Sequence, residues 1–110
     1  MDQPKDLAHF RLTSAIAEKR IRHISETTSC VVLTTHARQR MVLRDITATE
    51  LYRILRFGEV VGIPTLNKHG DWKCKIVFRL RGRRTAGAVV ALDGRKGLVV
   101  VITVEWEDGK

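Results

Sequence analysis

His36, Arg40 and Arg44 recur at intervals of four. On a helix that spacing stacks one imidazole and two guanidinium groups along a single ridge. Like charges so placed repel by roughly a few tenths of a kcal/mol, and an anion seated between them reverses the sign. The ridge therefore reads as an anion-binding stripe or, more simply, as a solvated polar face. Arg38 falls off the ridge and reads as solvated.

A second basic surface comes from alternation. Trp72, Cys74, Ile76, Phe78 and Leu80 alternate with Lys73, Lys75, Val77, Arg79 and Arg81, so a strand here has one apolar face and one nearly all basic. Arg83 and Arg84 follow at a turn marked by Gly82. Lys73, Lys75, Arg79, Arg81, Arg83 and Arg84 are the candidates for tracking a phosphate backbone. The competing account is an edge strand that uses lysine to block edge-to-edge pairing. The whole chain leans the same way: 20 Lys and Arg against 12 Asp and Glu leave a formal charge of +8. That balance favours polyanions through phosphate contacts and counterion release. Nucleic acid is the first partner class it suggests and an acidic protein the second. Trp72, Trp106, Tyr52 and the three Phe fall mostly on apolar faces, so base stacking is limited.

Other chemistries find no support. Cys30 and Cys74 stand in separate segments with no C-x-x-C partner, which argues for buried thiols rather than a disulfide framework or a zinc site. His9, His23 and His69 lack a second ligand at metal spacing. No G-x-S-x-G, Walker loop, dinucleotide fingerprint or H-E-x-x-H occurs, so neither a metal nor a cofactor is expected. The first twenty residues lack a basic start followed by an apolar run. The longest apolar run, Leu98 to Val104, is broken by Thr103 and too short for a bilayer. The expectation is a cytoplasmic protein with no membrane partner.

The elements that must position these residues follow from periodicity. A chain of 110 residues fits one domain. Leu7, Phe10, Ser14, Ala17, Ile21 and Ile24 predict a helix from Asp6 to Ile24, laid on the core or serving as the element through which the chain dimerises. Cys30 to Leu33 reads as a short strand. Thr35 to Arg44 reads as a second helix that buries Ala37 and Met41 and carries the ridge. Thr47 and Glu50 form a capping box, Leu51, Ile54 and Leu55 supply the apolar face behind it, and Gly58 is expected to end that helix as a left-handed cap. Val60 and Val61 lead into a loop marked by Pro64, Asn67 and Gly70. Strands from Trp72 to Arg81, Thr85 to Leu92 and Leu98 to Trp106 then form a meander. The predicted fold is α+β: N-terminal helices followed by a curved antiparallel sheet of three to four strands. Residues 1–28 are a helical extension and 29–110 the domain proper, in one compact unit.

The segment His36-Ala37-Arg38-Gln39-Arg40-Met41-Val42-Leu43-Arg44-Asp45-Ile46 resembles the signature H-A-x-x-R-M-x-x-R-x-I of a small bacterial domain family. A capped helix ending in Gly58-Glu59-Val60 and a late strand like Val101-Ile102-Thr103-Val104 follow in the same order, so the similarity runs from residue 30 to residue 106. That family is grouped with RelE/ParE-like and BrnT-like toxins, whose fold is two helices followed by a curved antiparallel sheet. The resemblance implies a toxin-type, metal-independent endoribonuclease that cleaves messenger RNA, free or on the ribosome, and is held by an acidic antitoxin. Under it His36 is the general base or acid on the 2′-hydroxyl, Arg40 and Arg44 stabilise the pentacoordinate phosphate, and Thr103 contributes from the sheet. Two departures stand out. The N-terminal helix precedes the family region, and Glu105, Trp106 and Glu107 occupy the place of the C-terminal tyrosine or lysine of better-known ribosome-dependent toxins. The alternative is a noncatalytic basic module, a phage or host regulator that occupies nucleic acid or an acidic protein.

Overall fold

The computed structural model describes residues 11–108. Its first helix, α1 (Ser14–Ser25), begins at Thr13, whose hydroxyl accepts the Ile16 N–H at 3.2 Å. Thr13 is extended and residues 11–13 are not helical, so the expectation of one unbroken helix from Asp6 to Ile24 is corrected; Asp6, Leu7 and Phe10 lie outside the described residues. The inward side of α1 buries Ala17, Ile21 and Ser25 against a third helix and the sheet. Full burial of Ile21 alone is worth about 1.5–3 kcal/mol.

One 3-10 turn (Thr28–Cys30) leads into β1 (Val31–Leu33), and α2 (Thr35–Arg44) follows with the bounds its composition predicts. Thr34 does two jobs: its hydroxyl accepts the Ala37 N–H at 3.0 Å as a helix cap and donates to the Val101 carbonyl at 2.9 Å. The helix stops at Asp45, in left-handed geometry that Asp tolerates. In α3 (Ala48–Phe57) both halves of the capping box form. Thr47 Oγ1 accepts the Glu50 N–H at 3.1 Å, and Glu50 Oε1 accepts the Thr47 N–H at 2.9 Å.

Gly58 does not end α3 as a left-handed cap; its backbone is extended, with φ −78° and ψ 178°. Glycine is needed there for close approach instead. A Cβ would collide with the Ile54 carbonyl oxygen and stand 2.7 Å from that of Val77. The stretch expected to be a loop around Pro64 is also corrected. It forms β2 (Glu59–Leu66), which pairs with β3 on one side only, with a register shift between Val61 and Thr65. A residue without an N–H is tolerated at such an irregular edge.

β3 (Trp72–Arg79), β4 (Thr85–Asp93) and β5 (Leu98–Trp106) form the expected meander. The sheet has five strands rather than three to four, in the order β1-β5-β4-β3-β2. It is mixed rather than antiparallel, because β1 pairs parallel with β5, Val31 beside Val99 and Leu33 beside Val101. One sheet face holds Cys74, Ile76, Ala88, Val90, Val99, Val101, Val104 and Trp106, all buried with Ala17, Ile21, Leu51, Ile54 and Leu55 from the helices. α1 shares this core. Arg22 donates to the carbonyls of Arg56 at 2.8 Å and Gly58 at 3.2 Å, and Glu18 accepts the Val60 N–H at 3.0 Å. From Leu12 onward the proposed N-terminal extension is therefore built into the domain. Among the described residues no helix is long and apolar enough to cross a membrane.

Candidate functional site

The sheet face turned away from that core carries Lys73, Lys75, Val77 and Arg79 on β3. By register it also carries Gly87, Val89 and Ala91 on β4, and Val100, Thr103 and Glu105 on β5. Its side chains are exposed or half-buried except at Gly87 and Ala91.

α2 borders this face. At one end Thr34 Oγ1 donates to the carbonyls of Val101 and Ile102, and at the other Trp106 Nε1 donates to the Arg44 carbonyl at 2.8 Å, so the helix lies beside the second half of β5. Ala37 and Met41 point inward and are buried. On one flank of that line Arg38 and Val42 border a cleft with Leu33, Ile46, Thr47 and Ala48, on the helix side of the sheet. At about 100° per residue, His36, Arg40 and Arg44 fall on the opposite flank, toward the face that carries Thr103 and Glu105. The ridge and Thr103 thus share one border, helix on one side and strand on the other.

Within the ridge, Arg40 Nε donates to His36 Nε2 at 3.4 Å, a long and exposed bond. Arg44 is half-buried, and its Nε is buried with no hydrogen-bond partner. A buried donor left unmade costs about 1–3 kcal/mol, which an anion or water oxygen would relieve.

The six basic residues expected to form one phosphate-tracking row divide in two. Lys73, Arg79 and Arg83 are exposed, with no ion-pair partner among the described residues. The other three are engaged. Lys75 Nζ lies 2.8 Å from Glu107 and 3.5 Å from Glu105, and the hydrogen bond to Glu107 is the main cause that raises its pKa. The pair lies across Gly87, where a Cβ would stand 2.5 Å from Glu107 Oε2 and 3.1 Å from Lys75 Cε. Arg81 lies past the end of β3, so strand alternation no longer governs it. It clamps the α2–α3 junction instead, donating to Glu50 Oε2 at 2.8 Å, Asp45 Oδ2 at 3.2 Å and the Asp45 carbonyl at 2.6 Å. That guanidinium is the largest of the causes that hold the Glu50 carboxyl down to about 2. Arg84 forks onto Asp108 at 3.0 and 3.1 Å and lies 4.0 Å over the Trp106 ring.

Sequence reasoning missed the acidic cluster around Lys75. Its signal was present, since Thr103, Glu105 and Glu107 follow the same period of two that marked β3. Cys74 is buried, which pushes its thiol up to about 11. Among the described residues no group of His, Cys, Asp and Glu could hold a metal ion.

Residues 33–106 match the family model described as domain of unknown function DUF4258. No curated protein and no solved structure matches the chain. The matched segment takes in the α2 ridge, the Arg81 clamp and the three-strand meander, and leaves α1 outside. On that match the chain belongs to the DUF4258 family.

Proposed function

We propose that the α2 ridge and the adjoining sheet face form a toxin-type, metal-independent endoribonuclease site. The observation that carries this reading is the buried, partnerless Nε of Arg44, on the same helix ridge as an exposed Arg40–His36 pair. His36 Nε2 accepts only a long bond from Arg40, which a ribose 2′-hydroxyl can replace. His36 takes the proton as the 2′-oxygen attacks phosphorus. The P–O5′ bond breaks, the departing oxygen takes a proton from water, and a 2′,3′-cyclic phosphate remains. Arg40 and Arg44 donate to the phosphate oxygens as negative charge builds, and Thr103 offers a hydroxyl from β5. Lys73, Arg79 and Arg83 hold the flanking backbone. The order of α2 and α3 followed by antiparallel β2–β5 supports the RelE/ParE-like and BrnT-like grouping, although β1 precedes them and pairs parallel, and an acidic antitoxin would cover the same free cations in the cytoplasm. His36→Ala is expected to slow RNA cleavage by about 10²-fold or more with the fold kept by circular dichroism. Undiminished cleavage by the folded variant sinks the assignment.

The noncatalytic module has one observation in its favour. Glu105 and Glu107 tie up Lys75, and Asp108 engages Arg84, so the face is less basic than the composition suggests. RNA bound without product, with binding that falls steeply as salt rises, would select that reading.

A further inference from the structure

α2 turns one side to β5 and another to the open sheet face, and a third side is left over. On it Val42 is 82% exposed; Leu43, 73% exposed and seven residues from His36, lies toward the ridge instead. α1, whose periodicity raised the idea of assembly, has its apolar side buried within its own domain at Ala17 and Ile21. Of these two helices α2 leaves the more exposed apolar side chains, since only Ile16 of α1, at 40%, is among the exposed large hydrophobics. Val42 also borders the cleft formed with Leu33, Met41 and Ile46, so a projection and a hollow share one surface.

A two-fold contact between identical chains requires a patch complementary to itself. Arg38 and Asp45 fall on the same stripe as Val42 at about 100° per residue, and their midpoint lies between Met41 and Val42. Two α2 helices packed antiparallel about that point set Arg38 of each copy against Asp45 of the other, with the two Val42 side chains at the centre. Parallel packing would put Arg38 on Arg38 and Asp45 on Asp45. Arg38 is exposed, with no ion-pair partner among the described residues. The Asp45 side chain is 85% exposed and gives only Oδ2 to Arg81, leaving Oδ1 free. A uniformly acidic partner would meet Arg38 but be repelled by Asp45, so the mixed charge favours a second copy of this chain.

We propose that this face of α2 is a homodimer interface, antiparallel, with Val42 at the two-fold and reciprocal Arg38–Asp45 pairs. It leaves the His36 flank uncovered and does not depend on what that flank does. A contact built around ten-residue helices falls at the small end of specific interfaces, below about 1,200 Å² in total, so the dimer is weak.

Sedimentation velocity on the full chain, from low to high micromolar concentration, tests this. The parent protein is expected to pass from monomer to dimer, and Val42→Asp to stay monomeric with an unchanged circular dichroism spectrum. Arg38→Glu and Asp45→Lys are each expected to weaken self-association by about 10-fold. Mixed together the two variants should form a heterodimer. The new carboxylate of one then faces the new ammonium of the other, while the native Arg38–Asp45 pair survives on the second side. In a Cys30→Ser background, Val42→Cys should cross-link on oxidation and Lys19→Cys should not. A parent protein that stays monomeric throughout, a dimer that survives Val42→Asp, or the absence of cross-linking at position 42 overturns the proposal. Failure of the two charge variants to pair overturns the antiparallel register.

Discussion

The Trp106 indole N–H donates to the Arg44 carbonyl at 2.8 Å, so the last residue of β5 holds the last residue of α2. The carbonyl is one of those a helix end leaves unsatisfied, and the bond fixes where the Arg44 side chain starts. Trp106→Phe keeps most of the ring and removes the donor. The expected loss is about 1–2 kcal/mol in urea denaturation. RNA cleavage should fall further than stability alone explains if the ridge is the site.

Gly58 separates two explanations of a glycine. Were it a left-handed cap, Gly58→Ala would cost about 1 kcal/mol. Because a Cβ would meet the Ile54 and Val77 carbonyl oxygens and Ile76 Cγ1, the expected cost is about 2–3 kcal/mol, since backbone must shift. Thermal unfolding decides between the two figures.

Glu50 predicts part of the acid sensitivity. Its carboxyl is held down from 4.5 to about 2, first by Arg81. A depressed carboxylate stabilises the fold above its unfolded pKa, and that contribution is lost as pH falls from 4.5 toward about 2. Glu50→Gln should cost about 1 kcal/mol at neutral pH, a modest figure because Arg81 is half exposed and the capping box is weakened rather than removed. The gap between variant and parent should close as the pH is lowered through that window, read by denaturant melts.

Glu107 engages the Lys75 ammonium at 2.8 Å. If the sheet face carries RNA as proposed, Glu107→Gln leaves that ammonium only its longer contact with Glu105 at 3.5 Å, and should raise RNA affinity several-fold and steepen the salt dependence by up to about one released counterion. Equal affinity and slope for the two proteins would remove Lys75 from the proposed RNA surface.

Local signals were the legible ones. The bounds of α2 and β5, the Thr47–Glu50 box and the meander all follow from composition, capping chemistry or period over a few residues. β2 was hidden because Pro64 and Gly62 write the same letters in a bulged edge strand as in a loop. The partner of β1 was hidden because nothing in three residues specifies a strand far along the chain. At the candidate site, spacing put His36, Arg40 and Arg44 on one ridge, and alternation put Lys73, Lys75 and Arg79 on one face. Neither can tell which cations already hold a carboxylate, so the engagement of Lys75, Arg81 and Arg84 and the partnerless Arg44 Nε required three dimensions.

Thr34 and Val101 are joined across 67 positions of chain. Closing a loop of that length costs about 4 kcal/mol in chain entropy, whereas the β3–β4–β5 meander closes through short turns. That asymmetry predicts an order of folding, in which the meander forms first and offers the β5 edge as a template, and β1 with α2 docks on it late. The same asymmetry runs in reverse under native conditions. Amide protons of Val31–Leu33 should exchange faster than those of β4, through an opening that lifts α2 from β5 and leaves the rest of the sheet intact. The His36 ridge would then dissolve and re-form many times within the lifetime of a single folded molecule.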